Sequence, residues 1–197
     1  MLPCLMAAAA AASAQTGITV YGGARSGSGF QRADPPSSPI DLRSSGALTL
    51  GIERPYDGSR QWQWLVSHQR TRLELGAATT PAAPTELPLR LTYVHIGGIN
   101  YFEGGTGRGP YVAGGVGITY MNPSLQGTSS RVRASLNVGL GYHWPLGANL
   151  SLRTEVRGYA TLIRSDGAFF CSGGCTVSIK GDTMTQIEAM VGLTAGF

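Results

Sequence analysis

The stretch Arg131-Val-Arg-Ala-Ser-Leu-Asn-Val-Gly-Leu-Gly-Tyr-His-Trp144 sorts into two sets by parity. Val132, Ala134, Leu136, Val138, Leu140, Tyr142 and Trp144 are all apolar, whereas Arg131, Arg133, Ser135, Asn137, Gly139, Gly141 and His143 are all polar or glycine. Successive side chains on a strand point to opposite faces, so this is one extended strand with a greasy and a wet side. A helix would mix the two sets. The end of the chain repeats the pattern: Ile187, Ala189, Val191, Leu193, Ala195 and Phe197 alternate with Gln186, Glu188, Met190, Gly192, Thr194 and Gly196.

Working outward, the same period divides the rest of the chain. Further runs are expected at Gly17–Gly27, Gly46–Arg54, Ser59–Arg72, Leu87–Glu103, Gly109–Met121 and Leu150–Ile163, giving eight strands in all. Parity is ambiguous around Val94-His95-Ile96-Gly97-Gly98, where a bulge is expected to reset it. The connections alternate between short ones, such as Pro55–Gly58 and Pro145–Asn149, and long ones, such as Glu74–Glu86 and Arg164–Gly181. Tight turns at one end and longer loops at the other are the pattern of a membrane barrel.

Composition narrows the class. The 197 residues include 29 glycines, about twice the usual share, and only 13% are charged against 42% hydrophobic. The net charge of +4 is thinly spread with no basic run, which argues against a nucleic-acid partner, and the hydrophobic content argues against disorder. Met1–Ala14 carries an apolar, alanine-rich stretch ending in Ala12-Ser13-Ala14, the small-residue pattern of a secretory signal. The expected organisation is a signal peptide over residues 1–14 and a barrel domain over 15–197.

Alternation alone does not say which face is outside, since a soluble cup would show it with the apolar side inward. Runs of about 11 to 14 residues suffice to cross a bilayer at a tilt. Arg153, Glu155 and Arg157, with Arg131, Arg133 and Glu188 nearby, put charges of both signs on the polar face, as a small lumen filled with ion pairs requires. Tyr21, Trp62, Trp64, Tyr101, Phe102, Trp144 and Phe197 fall near turn-side ends, where an aromatic girdle would lie. The expected fold is therefore all-β: an eight-stranded antiparallel up-and-down transmembrane barrel with an apolar exterior and a polar interior.

The segments Tyr111-Val-Ala-Gly-Gly-Val-Gly-Ile-Thr-Tyr120 and Leu136-Asn-Val-Gly-Leu-Gly-Tyr-His-Trp144, with the final strand closing on Phe197, resemble the small bacterial outer-membrane barrels of the OmpA/OmpX/OmpW type. That resemblance implies a bacterial outer-membrane location reached through the periplasm. It also implies periplasmic chaperones on the route, and recognition of the terminal Phe197 strand by the barrel-assembly machinery. Outer-membrane lipid and lipopolysaccharide become the surroundings, and a monomer is expected.

Candidate chemistry is sparse. Cys171 and Cys175 flank Ser172-Gly173-Gly174 on an oxidising route and are expected to form a local disulfide. His68, His95 and His143 read as hydrogen-bonded lumen or interfacial residues. Val94-His95-Ile96-Gly97 lacks the His-x-Ser arrangement of the PagL lipid A deacylases, and the catalytic loop pattern of the palmitoyltransferase PagP is not evident. No catalytic, metal or cofactor site is expected, and no Gly-Lys-Ser/Thr follows the glycine pairs. Arg70, Arg72 and Arg164 fall near the outer rim and are candidates for lipopolysaccharide phosphate contacts. The expected role is structural or surface-interactive through the long loops, and not general diffusion. The alternatives are an enzyme acting on lipid A or phospholipid and an OmpW-like conduit for small apolar molecules.

Overall fold

The computed structural model describes residues 16–32, 39–74, 86–103, 105–124, 129–163, 179–180 and 183–197. The signal expected over residues 1–14, Cys171 and Cys175 with their expected disulfide, and Arg164 lie outside the described residues. The strands are β1 (Gly17–Arg32), β2 (Pro39–Pro55), β3 (Arg60–Glu74), β4 (Glu86–Tyr101), β5 (Gly109–Pro123), β6 (Arg131–Pro145), β7 (Leu150–Leu162), β8 (Ile179–Lys180) and β9 (Thr183–Gly196). Each long strand pairs antiparallel with its neighbours in the order β2-β3-β4-β5-β6-β7-β9-β1, and β1 pairs back onto β2. The eight long strands close into an up-and-down barrel, while the two-residue β8 pairs only with the far end of β1.

Where a strand has one polar and one apolar set, the polar set faces in. Leu136, Val138, Leu140 and Val191 point outward, about half exposed, whereas Arg153 is 1% and Glu155 3% exposed. Exposed Trp62, Trp64, Val66, Val94, Ile96, Val116 and Ile118 continue the outer apolar surface. Along β3 this band lies between Arg60 and Arg70, both outward and exposed. Ten residues at about 3.3 Å each, tilted by about 40°, span about 25 Å, the height of a membrane-facing apolar band. A continuous apolar belt of this height on a closed sheet makes this a membrane-spanning barrel.

Several details differ from the sequence reading. Tyr21 and Tyr101 are not part of the girdle: they are buried in the lumen, at 0% and 4% exposure. The turn-side aromatic residues on the outside are Tyr56, Trp62, Tyr142, Trp144 and Phe197, with Phe102 exposed in the β4–β5 turn. The bulge expected near Gly97 is absent; β4 runs in unbroken register with β3 and β5. Its parity is ambiguous for another reason. Leu87, Leu89, Leu91, Tyr93 and Ile99 point into the lumen while Val94 and Ile96 point out, so both faces of β4 carry apolar residues. The register shifts lie instead in β1–β2, between Arg25 and Gly27 and between Gly27 and Phe30, and in β2–β3, between Leu42 and Ala47. Strands β1 and β2 also extend further than expected, so the connection between them shrinks to residues 33–38.

Glycine serves the narrow lumen at defined points. A Cβ on Gly141 would run into the Tyr111 ring, and one on Gly192 into the Tyr21 ring. These glycines make room for two inward tyrosines, as close approach demands.

Candidate functional site: a filled lumen and an arginine-bearing rim

The lumen is built in layers from inward residues of all eight strands. Nearest the turns, Arg153 on β7 is the hub. Its Nη1 donates to Glu53 Oε1 at 3.0 Å and to the Tyr21 hydroxyl at 3.2 Å; Nη2 donates to the Tyr101 hydroxyl at 2.9 Å and Gln61 Oε1 at 3.3 Å. Thr19 and Gln63 complete the shell of Glu53 at 2.9 and 3.1 Å. One level up, Arg157 pairs with Glu155 and donates to Asn137 Oδ1 at 3.0 Å and Gln63 Oε1 at 2.9 Å, while the Tyr111 hydroxyl donates to Glu155 Oε2 at 2.7 Å. Above these, Arg25 Nη2 meets Glu188 Oε2 at 2.5 Å and also bonds Ser67. The Arg25 guanidinium lies between the rings of Tyr93 and Tyr159, at 5.0 and 4.5 Å from their centroids. Such ring contacts compensate a cation whose Nε and Nη1 make no hydrogen bond.

Three arginines and three glutamates are thus buried together, and each charge has an opposite partner. An isolated buried charge would be prohibitive, so the equal numbers are what allow burial at all. Two of these residues, Arg25 and Glu53, escaped the sequence reading. Both share parity with inward neighbours (Tyr21 and Arg25 on β1, Thr49 and Glu53 on β2), and extending the alternation to the first two strands would have found them. Arg131 and Arg133 do sit on the lumen parity, half-buried at the loop end of β6, but the carboxylates of Glu155 and Glu188 are taken by Arg157 and Arg25.

Beyond the tyrosines the chemistry changes. Leu42, Leu73, Leu87, Leu89, Leu91, Met121, Ile163 and Met184 form a buried apolar cluster at the loop end of the lumen, each at most 5% exposed. The lumen is therefore ionic toward the turns and oily toward the loops.

Two serine–histidine contacts lie inside, neither of them evident from sequence spacing. His143 Nε2 is 2.5 Å from Ser151 Oγ, and His95 Nε2 is 2.9 Å from Ser135 Oγ. A nucleophilic serine needs the histidine to accept its proton. Arg153 Nε donates to His143 Nδ1 at 3.2 Å and an arginine can only donate, so Nδ1 accepts and the ring proton sits on Nε2, facing Ser151. That tautomer donates to the serine and leaves it unactivated. At His95, Nδ1 has no hydrogen-bond partner to orient the ring, and the residue is 3% exposed. His68 lies on the outer wall, its Nδ1 2.9 Å from Thr92 Oγ1. No cluster of His, Cys, Asp and Glu among the described residues could hold a metal ion.

The outer rim carries a different constellation. Arg70 on β3 and Arg90 on β4 stand directly opposite in the ladder, both outward and exposed. Beside them, Arg72 Nη1 pairs with Glu86 Oε2 at 3.0 Å and Arg43 Nη1 with Glu86 Oε1 at 3.6 Å. Arg70 and Arg72 are exposed at the loop end of β3; Arg43, Glu86 and Arg90 were not anticipated because they join them only through the β2–β3–β4 register.

Neither a protein-family model nor any curated protein matches the chain in sequence. The fold does match solved structures. AlkL, determined in DMPC lipid bilayers, aligns with a TM-score of 0.59 at 15% identity over 100% of this chain and 97% of that one. Neisserial surface protein A aligns at 0.55 and 14% identity over 93% and 97%, and OprG from Pseudomonas aeruginosa at 0.51 and 15% over 93% and 96%. The fold is that of a small outer-membrane β-barrel. In such a barrel the turns face one side of the bilayer and the loops the other. The turn side here is compact: Tyr56 and Asp57 amides both donate to Arg60 O, and those of Leu146 and Gly147 donate to Leu150 O. Asp57 Oδ1 receives the Ser59 and Arg60 amides at 2.9 and 2.8 Å, and the Arg60 side chain holds the Asp57 carboxyl well down, at about 2.

Proposed function

We propose that the chain is an integral protein of the bacterial outer membrane with a structural and surface-interaction role, its long connections forming the contact surface outside the cell. The observation that carries this is the filled lumen: Arg153–Glu53, Arg157–Glu155 and Arg25–Glu188 are buried across its width, leaving no water-filled path of porin type through those layers. An eight-stranded barrel is just wide enough for its own side chains to fill it. The wrong tautomer at His143 supports a non-enzymatic role. Phe197 closes the last strand, its amide donating to Thr16 O at 3.0 Å and its ring outward, as suits a terminal signal read by the barrel-assembly machinery after passage with periplasmic chaperones. Planar-bilayer recording tests the reading: the reconstituted protein gives no sustained ionic conductance, and a stable open channel overturns it. An epitope inserted between residues 79 and 80 is reached by antibody on intact cells; inaccessibility there overturns the orientation.

A second reading rests on the apolar loop-end cluster, which lines the lumen with Leu87, Leu89, Leu91 and Met184. A conduit for small apolar molecules would use such a lining. Faster uptake of an apolar dye by expressing cells, lost on introducing a charge at Leu89, supports this reading over the first. Mass spectrometry of lipid A from the same cells shows no change in acylation if neither serine–histidine contact is catalytic.

A further inference from the structure

Arg70 and Arg90 face each other across one rung of the β3–β4 ladder, and like charges placed so are destabilising. Among the described residues neither makes an ion pair, although acidic Glu86 stands nearby. That carboxylate is committed to Arg43 and Arg72, whose side chains are 57% and 56% exposed. Four guanidiniums therefore share one patch on the outer wall of β2–β4 with two outward carboxylates, the engaged Glu86 and Glu74 opposite it in the ladder, so the patch keeps an excess of positive charge. The patch lies about 25 Å above Arg60, at the loop-side boundary of the apolar band. A cation pair at that height, aimed sideways at lipid rather than upward into solvent, faces headgroups.

We propose that Arg70 and Arg90, flanked by Arg43 and Arg72, clamp the phosphate of an outer-leaflet lipid, the phosphorylated glucosamine headgroup of lipid A. Guanidinium forks bind phosphate oxygens by two-point contact, and a phosphate between Arg70 and Arg90 turns their repulsion into shared attraction. Acyl chains below the headgroup would run along the adjoining wall, over Val66 and Val94, which are outward and exposed on the same two strands. The site rests on the orientation proposed above, with the loops on the outer-leaflet side.

The test measures retention of lipid A by the purified, folded full-length chain in detergent micelles, with heat-modifiable gel mobility confirming barrel closure. Three probes are compared: phosphorylated lipid A, the same lipid stripped of phosphate, and inorganic phosphate as competitor. The wild type retains phosphorylated lipid A about tenfold better than Arg70→Ala/Arg90→Ala. The Arg70→Lys/Arg90→Lys variant falls between, because a point charge keeps attraction but loses the fork. Glu86→Gln releases Arg43 and Arg72 and raises retention about threefold. Equal retention by wild type and the double alanine variant overturns the proposal. So does equal retention of the phosphate-free lipid, or full displacement by an equal concentration of inorganic phosphate. Because retention is read on folded protein in micelles, its failure leaves the sealed-lumen reading standing, and a conducting lumen would leave the clamp standing.

Discussion

The two ends of the lumen are filled by opposite chemistry on the same scaffold. Toward the turns, three ion pairs and their tyrosine, glutamine and threonine partners occupy the space; toward the loops, leucines and methionines do. Both ends exclude solvent, but for different reasons. The ionic end depends on every charge keeping its partner, because a low-dielectric interior magnifies any vacancy. The apolar end depends on volume, because leucines tolerate rearrangement but not voids. The lesson is that a barrel interior need not be uniformly polar, even in a membrane, and that its two halves should fail differently when altered.

The largest expected effect breaks the ionic end. Glu188→Gln leaves Arg25 buried without its counter-charge and costs about 3–5 kcal/mol, whereas Arg25→Met/Glu188→Leu removes both charges and costs much less. The urea midpoint of the folded band on a gel distinguishes the two. If the double variant is as unstable as the single one, the pair is not acting as a unit. At the apolar end, Leu91→Ala is expected to cost about 2–5 kcal/mol through the void it leaves, with no partner substitution able to restore it. Denaturation midpoints measured on the same scale would blur the contrast if a second charge change nearby rescued it. The smallest effect lies outside the lumen altogether, in the β2–β3 turn. The Asp57 carboxyl is held down to about 2, first by the Arg60 side chain and then by the Ser59 amide. Its folded value is depressed, so its contribution is present above the unfolded value of about 4 and disappears as pH falls toward about 2. Asp57→Asn therefore lowers the melting midpoint slightly at neutral pH, and the gap to wild type closes between pH 4 and pH 2; a gap that persists at pH 2 would mean the turn depends on shape alone.

Most of the barrel was legible because lipid and lumen impose different solvents on alternate residues. In β6, where the outward set is uniformly apolar and the inward set polar or glycine, parity alone decides the orientation of the fourteen residues from Arg131 to Trp144. In β4 the same rule fails, because Leu87, Leu89 and Leu91 face an interior that is itself oily, so the two faces look alike in sequence. Tyr21 and Tyr101 misled for a related reason: a tyrosine suits a headgroup girdle and a lumen hydrogen bond equally well, and only the neighbouring Gly192 and the acceptors around Arg153 show which applies. The ion-pair partners were less legible still. Which arginine meets which glutamate depends on shear around the closed sheet, bringing Arg153 to Glu53 across 100 positions of sequence. The rim arginines likewise meet only through strand register, so their number could be read from the chain but not their grouping.

Arg25 and Glu188 are register partners on the first and last long strands, so their contact bridges the seam where the cylinder is zipped shut. Without that seam Glu188 would keep its hydrogen bond from Tyr159 but lose its counter-charge, and Arg25 would lose the carboxylate it pairs with. The pair thus works as a latch across that edge, and the finished cylinder cannot fray open between β1 and β9 without losing it.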